Sequence, residues 1–395
     1  MKKLPLIASI CVATICLAPA AHADFSSCLS ELRSAAGAQG VSGSTFDRTM
    51  SGVTPDPKVI ESMNSQPEFK TPIWDYLATL VDEQKVAEGR QMMSRHAQAL
   101  ASAEQRFGVD RYTIAAVWGV ESDFGNIAGR WSLPQALSTL ACTPNRRQAY
   151  FRGELIAALK IVDRGDIAPS KLRGSWAGAF GQTQFMPSTY LRLAVDGDGD
   201  GRRDLVDSTA DALHSTANYL AKSGWVTGAG WGYEVRLPAG YSGPSGRTRK
   251  VGLGEWSSLG IRKIDGSPLS GSGAAGLLLP AGSNGPAFLV FKNYDAAYAY
   301  NGADSYALAI SLLSDRLRGR GGVQAPWPTN DRGLSRAERK EVQEHLLRRG
   351  YDIGEADGAI GAKTRQAIAD YQARTGLTRD GRPGGQVLDS LRSGR

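Results

Sequence analysis

The sequence predicts a mainly α chain with a short Gly-rich β insertion and a separate helical module at its C-terminus. Three observations carry this. Apolar residues recur at helical spacing, punctuated by glycine stops, over most of residues 25–235. Residues 236–290 shift to Gly, Ser and Pro around short apolar runs. Past a second Gly/Pro-rich stretch at 319–333, helical patterning resumes. A length of 395 residues, 42% of them hydrophobic and 22% charged, is enough chain and an ordinary composition for more than one packed domain.

The elements follow in order. "MKKLPLIASICVATICLAPAAHADF" opens with Lys2 and Lys3, continues with an apolar run too short to span a bilayer, and ends in a small-x-small site before Asp24. This reads as a cleaved secretory signal over residues 1–23 that leaves no transmembrane segment; Cys11 and Cys16 lie inside it without a convincing lipobox. Cys28 and Cys142 remain. In an oxidising compartment such a pair is expected to bridge, the alternative being two buried thiols. The net charge of +7 and pI near 9.2 suit an anionic polymer or surface. No Lys/Arg block of nucleic-acid type stands out, so nucleic acid is excluded as a partner.

"SSCLSELRSAAGAQG" (26–40) predicts a helix with a Gly stop. "DEQKVAEGRQMMSRHAQALASAEQRFG" (82–108) predicts one long helix, and "RRQAYFRGELIAALKIVDRG" (146–165) another. In "DSTADALHSTANYLAKSGW" (207–225) Ser208 is a natural N-cap. "GLLLP" and "AFLVF" predict small strands, and "NGADSYALAISLLSDRL" (301–317) returns to helix. "GRGGVQAPWPTNDRG" is a linker by composition.

Two stretches carry chemistry. In "AAVWGVESDFGNIAGRW" (115–131) an apolar segment ends in Glu121, among Trp118, Phe124 and Trp131. A carboxylate so placed is partly desolvated and holds its proton toward neutral pH, the state of a general acid. Glycoside cleavage needs such an acid to protonate the leaving oxygen. The bland alternative is a helix-end Glu making an ordinary hydrogen bond. In "GAFGQTQFMPSTY" (178–190) Gln182 and Gln184 offer amides suited to sugar hydroxyls and N-acetyl groups, and Pro187 marks a helix start.

"GVESDFG", "GAFGQTQFMPSTY", "DGDGDGRRDLVDSTADALHSTANYL" and "YNGADSYALAISLL" occur in this order. Together they resemble the lytic murein transglycosylases of the membrane-bound transglycosylase B family. The resemblance implies a lysozyme-like α domain with additional helical and small β parts over residues 24–318. It implies a carbon–oxygen lyase that cleaves the β-1,4 bond between N-acetylmuramic acid and N-acetylglucosamine in peptidoglycan, leaving 1,6-anhydro-N-acetylmuramic acid. Glu121 would act as acid and then as base, because the sugar's own C6 hydroxyl attacks C1 and no second carboxylate is required. Asp123 has no catalytic part in this reading. Ser122 would hydrogen-bond Glu121, and Gln184, Phe185, Met186, Asn218, Tyr219, Tyr300, Asn301 and Tyr306 would meet substrate; buried helix-holding roles are the alternative for the Tyr and Asn residues. A water-using muramidase and a non-catalytic wall-binding protein are the competing functions.

"DGDGDGRRDLVD" (196–207) matches a calcium loop, with Asp196, Asp198 and Asp200 at positions 1, 3 and 5, Arg202 offering its carbonyl at 7, and Asp207 at 12. Asp at position 12 is shorter than the usual Glu. Relatives use a slightly longer loop, so the resemblance offers Asp211 as the closing ligand. Structural Ca²⁺ is thus the one ion the sequence suits, with no cofactor required for chemistry. From residue 334 to 395, "VQEHLLRRGYD", "DGAIGAKTRQAIADYQARTGL" and "DGRPGGQVLDSL" resemble a three-helix peptidoglycan-binding domain. Such a module would tether the chain to the wall and supply no chemistry. The expected setting is the periplasm, with peptidoglycan and wall-synthesis or remodelling proteins as partners.

Overall fold

The computed structural model describes residues 18–64, 71–127, 129–271 and 273–394, so most of the expected signal segment, with Cys11 and Cys16, lies outside the described residues. The chain begins with α1 (Ala18–Ala38), α2 (Gly43–Met50) and α3 (Pro57–Asn64), then α4 (Ile73–Leu80), α5 (Glu83–Arg95), α6 (Ala97–Phe107) and α7 (Arg111–Ser122). Strand β1 (Trp131–Ser132) precedes α8 (Leu133–Cys142) and α9 (Gln148–Asp163); β2 (Arg173–Gly174) precedes α10 (Pro187–Leu193) and α11 (Thr209–Lys222). Ser208 caps α11 by accepting the Asp211 amide.

The single helix expected over 82–108 is two helices. His96 leaves helical geometry (φ −109°, ψ 29°), and its ring meets Trp118 edge-on at 5.3 Å. The break lets α5 and α6 take separate paths against α7 and α11. Gly108, at φ 69°, then stops α6.

Next come β3 (Gly232–Arg236), β4 (Gly246–Val251), α12 (Leu253–Ser258), β5 (Arg262–Lys263), β6 (Ala275–Leu278) and β7 (Ala287–Val290). They form an antiparallel sheet of order β4-β6-β7-β3-β5, with Leu277 opposite Leu289. Every residue of β6 and β7 is buried, which explains their unbroken apolar runs. Trp256 of α12 packs into the same core and donates to the Ala275 carbonyl at 2.8 Å.

Helices α13 (Lys292–Asn301) and α14 (Asp304–Leu317) follow the sheet. Two helical cores result. One gathers Trp118, Phe124, Leu213 and Tyr306; the other gathers Leu32, Leu137, Phe151, Phe180 and Phe185. Tyr300 packs against both, so α13 sits at their seam.

The C-terminal module is α15 (Arg336–Arg348), α16 (Ala362–Thr375) and α17 (Gly385–Arg392), around Val342, Leu346, Ile368 and Leu388. A capping box of Ser335 and Glu338 starts α15. The module is docked. Arg382 grips Asp75 of α4 with two bonds of 2.6 Å, and Arg336 reaches Asp123 at 2.9 Å. Residues 319–333, linker-like by composition, lie on the body: the Gln324 and Ala325 amides donate to Glu234 at 2.8 and 2.7 Å, and Trp327 meets Trp74 at 6.4 Å. Among the described residues no helix is long and apolar enough to cross a membrane.

Cys28 and Cys142 are joined, with Cα atoms 5.8 Å apart and a sequence separation of 114. The bond ties α1 to the end of α8. A loop of that length stabilises by about 4–5 kcal/mol through the unfolded chain's lost freedom. Replacing both cysteines by serine should lower the unfolding free energy by that order in a denaturant titration; an unchanged midpoint contradicts the link.

Candidate functional site

Helix α7 is buried from Thr113 to Gly119 and reaches the seam with Glu121 and Ser122 at its end. Asp110 starts it by accepting the Tyr112 and Thr113 amides. What ends it is unusual. Asp123 and Phe124 both have left-handed backbone, at φ 54° and 56°, although neither is glycine.

Three contacts hold that turn. The Phe124 ring wedges against Gly89 and Gly119, where an added Cβ would lie 2.7 and 2.5 Å from its Cζ, and it meets Trp118 edge-on at 5.6 Å. The Asp123 carboxylate takes the Lys85 ammonium on one oxygen and the Arg336 guanidinium on the other. The Ser122 hydroxyl donates to the Gln182 carbonyl at 2.5 Å and accepts the Gly125 amide at 2.9 Å. Such strain persists only where surroundings over-determine it, and it clusters at functional sites.

Glu121 is half-buried, and its Oε1 accepts the Tyr306 hydroxyl at 2.5 Å. Burial, with the charge of Glu121 next, pushes the Tyr306 and Tyr300 phenols well above the ordinary range, so both stay neutral donors. Tyr300 donates to the Thr183 carbonyl at 2.7 Å, and Tyr219 to the Ala299 carbonyl at 2.6 Å. The rings form a row: Tyr219 to Tyr300 at 4.6 Å, and Tyr300 parallel to Tyr306 at 6.1 Å and 13°. Gln184 sits across in left-handed backbone (φ 50°), its amide donating to the Gly181 carbonyl at 2.8 Å.

The structure redistributes several expected roles. Ser122 is 1% exposed and bonds the loop at Gln182, where the sequence suggested a bond to Glu121. Phe185, expected to meet substrate, is 2% exposed and packs beneath Tyr219 and Tyr300. Its apolar ring gains more by supporting the tyrosine row than by facing water. Asn218 turns to the Leu193 carbonyl at 2.9 Å, holding the end of α10. Met186 is the N-cap position of α10, and Asn301 is exposed at the end of α13. Lys85 and Arg336 escaped sequence reasoning. Lys85 shares a helix face with buried Gly89, a signal visible in the pattern; Arg336 is distant in sequence and left none.

In the acidic loop, carboxylate oxygens of Asp196, Asp198 and Asp211 lie within 4.8 Å of one another. Asp207 is turned away to Lys171, and Asp200 is not among the converging carboxylates. Asp211 is fully buried, which pushes its carboxyl up. Hard oxygens at this spacing, one of them desolvated, fit a hard divalent cation such as Ca²⁺.

The family model described as Transglycosylase SLT domain matches residues 24–315, and a peptidoglycan binding domain model matches residues 335–391. Membrane-bound lytic murein transglycosylase B of Escherichia coli (strain K12) is 33% identical over 242 residues, 60% of this chain. The match spans 65% of that relative's length, less than two thirds. The crystal structure of SltB3 from Pseudomonas aeruginosa in complex with NAG-anhNAM-pentapeptide is similar at 46% identity and TM-score 0.75, covering 93% of this chain and 99% of that one. The Escherichia coli lytic transglycosylase Slt35 in complex with calcium is similar at 28% identity and TM-score 0.65, over 75% of this chain and 92% of that one.

The wedge under the turn is testable by overpacking. Gly119→Ala should cost about 1–3 kcal/mol, because its methyl group would collide with Phe124. Thermal unfolding should show the loss, and a melting temperature equal to the parent's would contradict the packing described.

Proposed function

The chain belongs to the transglycosylase SLT domain family, and from that premise we propose that it cleaves the β-1,4 bond between N-acetylmuramic acid and N-acetylglucosamine with formation of a 1,6-anhydro end. One observation supports this above the others. Glu121 stands at the seam with a neutral phenol on its carboxyl, while the carboxylate two residues on, Asp123, is consumed by Lys85 and Arg336. The arrangement suits a reaction that needs one carboxyl group.

The steps balance on Glu121 alone. Its proton goes to the glycosidic oxygen as the C1–O bond breaks, and the N-acetylglucosamine alcohol leaves. The carboxylate then accepts the C6 hydroxyl proton as that oxygen bonds to C1. No water enters and no cofactor is drawn on. The Tyr306 hydroxyl fixes the direction of the carboxyl and supports its charged form between the two transfers. Gln184 and the edges of Tyr219 and Tyr300 offer polar and ring surface to the sugars beside it. The solved complex of SltB3 with NAG-anhNAM-pentapeptide supports this reading of substrate and product. The setting is the periplasm, reached through the N-terminal signal, and the C-terminal module holds the wall.

Glu121→Gln should preserve the melting temperature and lower turnover of purified wall by about 10²–10⁴-fold, the usual contribution of a general acid–base group. A variant that released fragments at the parental rate would remove Glu121 from the chemistry.

We further propose that Asp196, Asp198 and Asp211 hold Ca²⁺; that Slt35 has been solved in complex with calcium supports an ion in such a chain. The bound ion would neutralise converging carboxylates and brace the loop that leads into α11. At 100-fold excess over Kd it would stabilise by about 2.7 kcal/mol. Millimolar Ca²⁺ should therefore raise the melting temperature of the parent and leave Asp196→Ala/Asp198→Ala unmoved. Identical curves for the parent with calcium and with chelator would dismiss the ion.

A further inference from the structure

The junction between the catalytic body and the C-terminal module forms an open pocket of about 660 Å³. Pro72 and Asp75 line one side; Leu334, Arg339, Ile360 and Arg365 line the other. The Arg382–Asp75 pair beside it fixes the two sides in register.

Arg339, in the first turns of α15, is anomalous there. Its Nε is sealed from solvent and has no hydrogen-bond partner, and among the described residues no carboxylate lies within ion-pairing distance of its guanidinium. Burial, then the positive charge of Arg336, pushes its pKa down. The acids around it are already engaged. Asp75 is held by Arg382, Asp82 accepts the Lys85 and Arg336 amides, Asp357 accepts Gln343 and the Ala359 amide, and Glu338 takes Arg332. A guanidinium cannot escape the cost by losing its proton at physiological pH. Asp82, Asp75 and Asp357 favour the Arg339 charge through space, but none of them pairs with it directly and burial outweighs their effect. A carboxylate entering from outside would meet a pre-placed donor beside Pro72, Leu334 and Ile360, while the lining acids Asp75 and Asp380 are already held by Arg382 and Gln372, and a charge-assisted bond there is strong.

We propose that Arg339 is the anchor of a second substrate site, which binds a carboxylate of a peptidoglycan stem peptide in the junction pocket. Leu334, Ile360 and Pro72 would pack its small aliphatic side chains, and the exposed Arg365 at the mouth attracts the anion. This deepens the proposed function by naming the part of the polymer that the module's inner face reads. It also places a peptide contact where both bodies contribute.

The test uses the full chain and two soluble probes: a free stem pentapeptide and an N-acetylglucosamine oligomer, which lacks carboxylates. Arg339→Met keeps the length of the side chain and removes its charge. The site predicts that pentapeptide affinity falls about tenfold or more in calorimetry. Oligomer affinity should stay the same, Arg339→Lys should recover part of the loss, and the melting temperature of Arg339→Met should be equal or higher. Equal pentapeptide affinity in parent and variant, or no binding by either, overturns the site. A fall in melting temperature with both probes lost also overturns it, because it would mark Arg339 as structural. Failure of the proposed function is a separate result: it would appear as absent wall cleavage by the parent, whatever the pentapeptide titration shows.

Discussion

The proposed reaction has one carboxyl group give a proton and then take one, which requires a fixed direction, and in this chain the direction of Glu121 depends on the turn at Asp123 and Phe124. Both residues adopt a backbone that disfavours non-glycine side chains, at about 1–3 kcal/mol each. The Phe124 wedge, the Asp123 ion pairs and the Ser122 bridge to Gln182 offset the strain from three sides. Glu121 lies at the end of a helix that cannot rotate, because Ile114 to Trp118 are buried on all faces. Tyr306, from α14, then meets it with a donor that burial keeps neutral. The site is thus assembled by packing at the seam of two helical cores, and the chemistry is assigned to a single titrating group.

The C-terminal module enters this arrangement directly. Arg336 belongs to its first helix and ends on the same carboxylate as Lys85, two residues from Glu121. A pure tether would hang from a flexible linker; here the connecting segment is itself bound through Glu234 and Trp74. The module and the turn beside Glu121 are therefore joined through the Arg336–Asp123 pair. The unpaired Arg339 lies on that same helix, three positions from Arg336, one turn along α15.

Much of this was legible in the sequence. The helical periodicity, the two apolar strands and the capping serine at 208 all signal local structure, and local rules read them. Glu121 stood out in the sequence only because four ordered motifs gave context to a carboxylate that alone reads as an ordinary helix end; the structure sets it against Tyr306. What escaped depends on three-dimensional neighbours. The break at His96 carries no Pro or Gly; it follows from packing on Trp118. Phe185 and Ser122 lie within motifs but face inward, and a motif does not state which way a side chain points. Asp207 matched a spacing rule, yet Lys171 draws it off and Asp211 converges in its place. Arg336 and Asp123 are separated by more than half the chain, so only the fold could pair them.

The proposed reaction uses one carboxyl group and the sugar's own hydroxyl, without water. It is tested most directly by digesting purified peptidoglycan in water enriched in heavy oxygen and weighing the new muramic ends by mass spectrometry. The account predicts anhydro ends that carry no heavy oxygen. Reducing ends that carry the label would show that water attacks C1, and would contradict it.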